Sequence, residues 1–162
     1  MVEVLEHIWQ YLVVFFISAM PVVELRGSIP LASLWYNMPL WESFPIAVLG
    51  NMLPVPFVLI LFKFLVQKFQ KVKFIGPILI WLHEKANKKS TKVGGKFKFV
   101  ALAVFVAIPL PGTGAWTSSM IASVLGLRIK HSIIAIFVGV VACAVIMAVF
   151  SYGLLNFVIN MF

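Results

Sequence analysis

Hydrophobic positions in this chain fall into runs of two lengths, and the short runs come in pairs. Residues 8–20 are uncharged and mostly apolar. As a helix they would reach about 20 Å, short of a hydrocarbon core of roughly 30 Å. A break follows at residues 21–30, PVVELRGSIP, and a second short piece runs over 31–41. The pattern predicts a helical hairpin over residues 8–41 that enters a bilayer and returns. Residues 44–62 are uncharged and long enough to cross, with Pro54 and Pro56 expected to kink the helix. The second half repeats this plan: a short run from residue 97, a break at 109–116 (PLPGTGAW), a return to residue 126, and an apolar run over 132–160 that can span with tilt.

Between the halves, Phe62, Leu65, Val66, Phe69 and Val72 recur at helical spacing while Lys63, Lys68 and Lys71 fall on other faces. That predicts a helix at the membrane surface. Gly76-Pro77 interrupts it, Pro77 suits the first turn of a further helix, and residues 90–95 read as a flexible linker. The expected organisation is one membrane domain over 1–162. It divides into a first half (1–65), a basic interfacial segment (63–96) and a second half (97–162), with a hairpin at 97–126 and a spanning helix at 132–160. The fold class is an all-α polytopic membrane protein, an inverted repeat of re-entrant helical hairpin plus transmembrane helix. Direct identity between the halves is sparse and pairs Ala19 with Ala107, Pro21 with Pro109, Ala47 with Ala135 and Phe62 with Phe150.

Composition sharpens the picture. Apolar residues make up 62% of the chain and the mean hydropathy is +1.07, far outside the soluble and disordered classes. Ten of the thirteen Lys and Arg residues lie between Lys63 and Lys98. The positive-inside rule places that segment in the cytoplasm and explains the basic balance without nucleic acid, for which no aromatic-interleaved groove is present. Contact of the lysines with anionic lipid headgroups is compatible with this placement. The first hairpin has no Lys or Arg at its mouth, whereas the second begins at Lys96 and Lys98 and ends at Arg128 and Lys130. The two are therefore expected to enter from opposite faces of a prokaryotic plasma membrane and to meet near the midplane, where inverted-repeat transporters hold substrate. Glu3 and Glu6 at the start argue against a secretory leader.

Polar groups inside such segments are costly and mark function by default. Glu24 and Arg26 are the centre of interest. Pro21, Gly27 and Pro30 predict non-helical backbone around them, in which residues two apart share a side and can pair. In the second break, Pro109, Pro111, Gly112 and Gly114 permit tight turns. Backbone N–H groups there would favour an anion if a helix starts near Ala115. Thr113, Thr117, Ser118 and Ser119 offer hydroxyls, Trp116 an indole for stacking or filling, and Asn51 an amide near the start of the first spanning run. Enzyme chemistry has little support. The chain contains no Asp, no phosphate-binding G-x-x-x-x-G-K-[ST] run and no nucleophile–base pair, and His7, His83 and His131 fall at different depths or ends. No cofactor or metal is expected. Cys143, the lone cysteine, reads as a small buried hydrophobe.

The run ELRGSIP (residues 24–30), the basic middle and IPLPGTGAW (residues 108–116) together resemble the small multidrug export protein family, related to the wider DedA membrane proteins, over nearly the whole chain. The resemblance implies an inverted pair of re-entrant hairpins and a transport role. For DedA relatives it implies movement of lipid carriers such as undecaprenyl phosphate, or proton-coupled export. Glu24 and Arg26 match the acidic and basic positions of the first hairpin. The arginine that the DedA pattern carries near its second break has no counterpart in residues 109–116. The expected function is a secondary exporter, proton-coupled through Glu24. The alternatives are a lipid flippase or scramblase and a non-transporting scaffold. Expected partners are membrane lipids, a small-molecule or lipid substrate, and a second copy of the chain in a homodimer.

Overall fold

The computed structural model describes residues 2–69, 77 and 96–161. Among these the chain is helical: α1 (Val2–Ala19), α2 (Glu24–Leu34), α3 (Leu40–Met52), α4 (Pro54–Phe69), α5 (Lys96–Ala107), α6 (Ala115–Val124) and α7 (Ile129–Met161). The interfacial helix beyond Phe69 and the linker at 90–95 lie outside the described residues, apart from the exposed Pro77.

Prolines set most of the boundaries. Pro21 disfavours helical backbone at Met20, and α1 gives way there to a four-residue turn. Pro54 and Pro56 lack the N–H groups that would continue the ladder. The apolar stretch Leu40–Phe69 is therefore divided at Leu53 into α3 and α4, and this stretch is longer than the 44–62 expected from sequence. α6 closes in a Schellman arrangement, with the N–H of Leu127 on the carbonyl of Ala122 and Gly126 at φ 65, a conformation that favours glycine. Leu40–Phe69 and Ile129–Gly153 are both long and apolar enough to cross a membrane.

One expectation about the first break needs correction. Residues 21–30 are not one extended segment. The break ends at Val23, and Glu24, Arg26, Gly27 and Pro30 all belong to α2. Pro30 removes a single helical hydrogen bond, while α1, α3 and α7 pack around α2. In an apolar surround, a helix is the conformation that satisfies nearly every other backbone group within the segment.

α1 and α2 form one helical hairpin and α5 and α6 another. Each second helix packs along the long apolar stretch of the other half: α2 along α7, and α6 along α4. The side chains report the same crossing. The Ser123 hydroxyl on α6 donates to the Leu59 carbonyl on α4 (3.0 Å). The Tyr152 hydroxyl on α7 donates to the carbonyl of Met38, just beyond α2 (2.6 Å), and sits 2.7 Å from the Ser43 hydroxyl. α2 thus ends beside Tyr152, while α6 ends where α7 begins. The two hairpins open toward opposite ends of α7.

Burial follows one plan in the two halves. Residues 21–33 and 111–123 have the same order of exposed, half-buried and buried positions, and so do 14–20 and 102–108. Structure therefore matches Pro21 to Pro111 rather than to Pro109, and aligns Ser28 with Ser118 and Ser33 with Ser123. The paired contacts agree. Gly50 lies against the Phe15 carbonyl and Ser18 of α1, and Gly139 against the Ala103 carbonyl and Val106 of α5. Tyr11 donates to a Glu42 carboxylate oxygen (2.6 Å) where Phe99 stacks on His131 (centroids 5.2 Å apart). A Cβ at either glycine would strike backbone, which cannot retreat as a side-chain tip can. Gly50→Val and Gly139→Val are each expected to cost about 1–3 kcal/mol by overpacking, read as similar drops in thermal stability in detergent.

Many large apolar side chains lie on the outside, and several polar ones are enclosed within the apolar core. Phe57, Ile60, Phe64, Ile134, Val149 and Phe150 are exposed, while Ser18, Glu24, Ser28, Asn51, Ser118 and Ser151 are buried. Water would oppose that distribution and a bilayer favours it. The small buried residues let the helices approach closely, as in membrane packing.

Candidate functional site

The turn after α1 delivers Glu24 to the N-terminus of α2 with φ 49, left-handed backbone that a non-glycine residue adopts only at a cost. Its side chain is 4% exposed, which is rare for a carboxylate. The carboxylate reaches across to the other half. It fills the space beside Gly114 where any Cβ would stand, and Oε1 accepts the backbone N–H of Trp116 at 3.3 Å. The tips of α2 and α6 therefore meet at Glu24. Two helix N-termini, each with a partial positive charge, converge on one acid.

Arg26 lies one residue pair further along α2. Its Nη1 is 3.8 Å from Oε2 of Glu24, a long ion pair. Nη2 donates to the Thr113 hydroxyl at 2.8 Å and, more weakly, to the Ile108 carbonyl at 3.5 Å. Thr113 accepts from Arg26 and donates toward the carbonyls of Ile108 (2.7 Å) and Leu110 (2.8 Å). Arg26 thus holds the frayed C-terminal end of α5. Trp116 performs the matching task from the other side, its indole N–H donating to the Ala19 carbonyl at the end of α1 (3.0 Å). Its indole nitrogen is therefore already engaged as a cap on α1.

Of the residues singled out from sequence, Glu24, Arg26, Thr113, Gly114 and Trp116 come together at one point. Gly112 (φ 87) and Pro111 shape the exposed turn before α6, and Pro109 lies at the end of α5. Gly27 and Pro30 are half-buried within α2, with Gly27 against the Val23 side chain. Asn51 is 2% exposed on α3, its Oδ1 without a partner.

Sequence reasoning missed the two carbonyl acceptors, Ala19 and Ile108, because backbone groups leave no composition signal. It also passed over Ser28, which is buried and unpartnered like Ser118. The spacing of Ser28 four residues after Glu24, one helical turn on the same face, was the available signal. Among the described residues, no cluster of His, Cys, Asp or Glu could hold a metal ion. A surface hollow of about 390 Å³ lined by Glu6, Trp9, Gln10 and Tyr36 sits at the mouth of the first hairpin.

Neither the curated proteins nor the solved structures contain a significant match to the chain. The family described as "Putative small multi-drug export protein" matches over residues 24–146, a span that opens on Glu24, takes in the second break and covers most of the sequence, and the chain belongs to that family.

Proposed function

We propose that this protein is a proton-coupled secondary exporter in which two opposed re-entrant hairpins hold the substrate where they meet. The observation that carries this reading is the Glu24 carboxylate of one hairpin seated on the helix tip of the other, beside Arg26. The crossed packing of α2 with α7 and α6 with α4, the matched burial, and the opening of the hairpins toward opposite ends of α7 all support an inverted repeat. α2 and α6 contain 11 and 10 residues, about 16 and 15 Å, so each covers half a hydrocarbon core. With the basic segment in the cytoplasm, the second hairpin opens inward and the first outward.

Protonation supplies the switch. A neutral Glu24 loses its attraction to Arg26 and to the two helix tips. Arg26 and the N–H groups at the start of α6 are then free for an anionic or strongly polar group of the substrate. Deprotonation restores the internal pairing and expels that group. Two spans and two hairpins enclose little space alone, so the reading includes a homodimer and contact with membrane lipids.

The same arginine and helix tip also suit a lipid phosphate, which favours a flippase as the second reading. Purified protein in liposomes separates the two. An imposed pH gradient should drive accumulation of hydrophobic fluorescent dyes. Translocation of a labelled anionic phospholipid without any gradient would instead favour the flippase, and flux of neither would leave the ion pair as architecture.

A further inference from the structure

The two helices that meet at Glu24 carry five buried serines, and their hydrogen bonding divides them sharply. Ser33 donates to the Pro30 carbonyl, Ser119 to the Ala115 carbonyl, and Ser123 to the carbonyls of Leu59 and Ser119. Ser28 and Ser118 are fully buried, and their hydroxyls have no partner. These two occupy matched positions in the halves. Ser28 stands one turn beyond Glu24 on α2. Ser118 stands one turn beyond Gly114 on α6, and Gly114 is the residue against which the Glu24 carboxylate rests. Ser28 therefore lies on the helix face of Glu24 and Ser118 on that of Gly114, each one turn toward its own hairpin mouth.

A serine in a helix can satisfy itself on the carbonyl one turn back, as Ser119 and Ser123 do. Leaving a hydroxyl unpaired in an apolar surround costs about 1–3 kcal/mol. Two more unpartnered polar atoms, Asn51 Oδ1 and Ser151 Oγ, are buried on α3 and α7, the helices that pack along α2. Unpaired polar atoms of this kind are where buried water binds.

We infer that Ser28 and Ser118 are the two relay positions through which the Glu24 carboxylate exchanges its proton with water, Ser28 toward the mouth of the first hairpin and Ser118 toward the mouth of the second. A hydronium at one mouth gives up a proton. It passes along water and one serine hydroxyl to the carboxylate, which becomes a neutral carboxyl. The carboxyl then releases a proton through the other serine to water at the opposite mouth. No bond other than O–H is made or broken, and the serines end as they began. The charged and titratable groups facing Glu24, among the described residues, are Arg26 on its own helix and Cys143 on α7, which lies within electrostatic reach of both charges. This proposal rests on Glu24 as the proton carrier and adds the route.

Infrared difference spectroscopy on protein in liposomes, after a pH jump, reads the carboxyl stretch of Glu24. The band is assigned by its loss in Glu24→Gln. With the jump applied to one face at a time, Ser28→Ala should slow the appearance of the band by about tenfold from the first hairpin's face and Ser118→Ala from the second's, the effect of one lost hydrogen bond on a barrier. Ser119→Ala, whose hydroxyl is already engaged on its own helix, should leave the rate unchanged. If the Glu24 band responds and both variants keep the parent rate, the route is wrong and the carrier stands. If no Glu24 band appears between pH extremes, the carrier reading falls and takes the route with it. Cysteine labelling gives the direction. On a Cys143→Ala background, Ser28→Cys and Ser118→Cys should react with a small hydrophilic thiol reagent from opposite faces of the membrane. Reaction of both from the same face overturns the proposal.

Discussion

Glu24→Gln is expected to abolish the response to a pH gradient while leaving the protein folded. The amide has nearly the shape of the carboxyl, so it can still fill the space beside Gly114 and accept the Trp116 N–H. It cannot carry a proton at any pH, and it cannot neutralise Arg26. Gradient-driven dye flux should fall to the level of protein-free liposomes, and whatever flux remains should be flat with pH. The stability cost has a bound. An isolated charge at the centre of a membrane helix costs about 2.5–3.5 kcal/mol on insertion scales. Arg26 keeps its bond to Thr113 and is 17% exposed, so the loss should be near the lower end or below it. Glu24→Gln combined with Arg26→Gln removes the unpaired charge. The double variant should recover stability and stay inactive, which separates the two roles of the pair. A Glu24→Gln protein that still responds to the gradient would remove Glu24 from the coupling.

The sequence carried the plan of the site better than its local conformation. Two Pro/Gly breaks in matching halves, one with Glu24 and Arg26 and the other with Gly112 and Gly114, were legible because charge and glycine are rare in such runs. The convergence of Glu24, Arg26, Thr113, Gly114 and Trp116 was expected in outline. The backbone at 24–30 was not. Gly27 and Pro30 weigh against helix in water, where exposed peptide groups have an alternative partner. In an apolar surround that alternative is gone, and α2 stays helical through both. The register between halves was misjudged at the breaks, while residues 14–20 and 102–108 keep the spacing of Ala19 and Ala107. Matching Pro21 to Pro109 ignored the extra residues that the second break carries before its helix, and only burial reveals that Pro111 is the counterpart. The role of Trp116 was unreadable because it depends on a carbonyl, Ala19, in the opposite hairpin.

The matched burial makes Gly114 the counterpart of Glu24, and at the meeting point of the two tips there is room for only one side chain. That asymmetry gives the second large prediction. Gly114→Ala places a methyl group where the Glu24 carboxylate stands. The backbone itself does not object, since φ is −84 at this position. The whole effect therefore comes from eviction of the acid. Its contact with the Trp116 N–H is lost, Arg26 loses its partner, and a buried ion pair broken on one side typically costs 3–5 kcal/mol. Partial exposure of Arg26 lowers that to about 2–3 kcal/mol here. Gradient-driven flux should vanish together with the stability. A swap tests the geometry more sharply. Glu24→Gly relieves the left-handed backbone at residue 24, worth about 1–2 kcal/mol. Gly114→Glu then supplies a carboxylate from the other tip, facing the N-terminus of α2 and still within reach of Arg26. The swapped protein should be more stable than the sum of the two single effects gives, by at least about 2 kcal/mol, a non-additivity that residues in contact produce and distant residues do not. Thermal unfolding of the single variants and the swap, in one detergent, measures it. Effects that simply add would mean that the acid and the glycine do not share one space, and the meeting of the two helix tips would have to be abandoned.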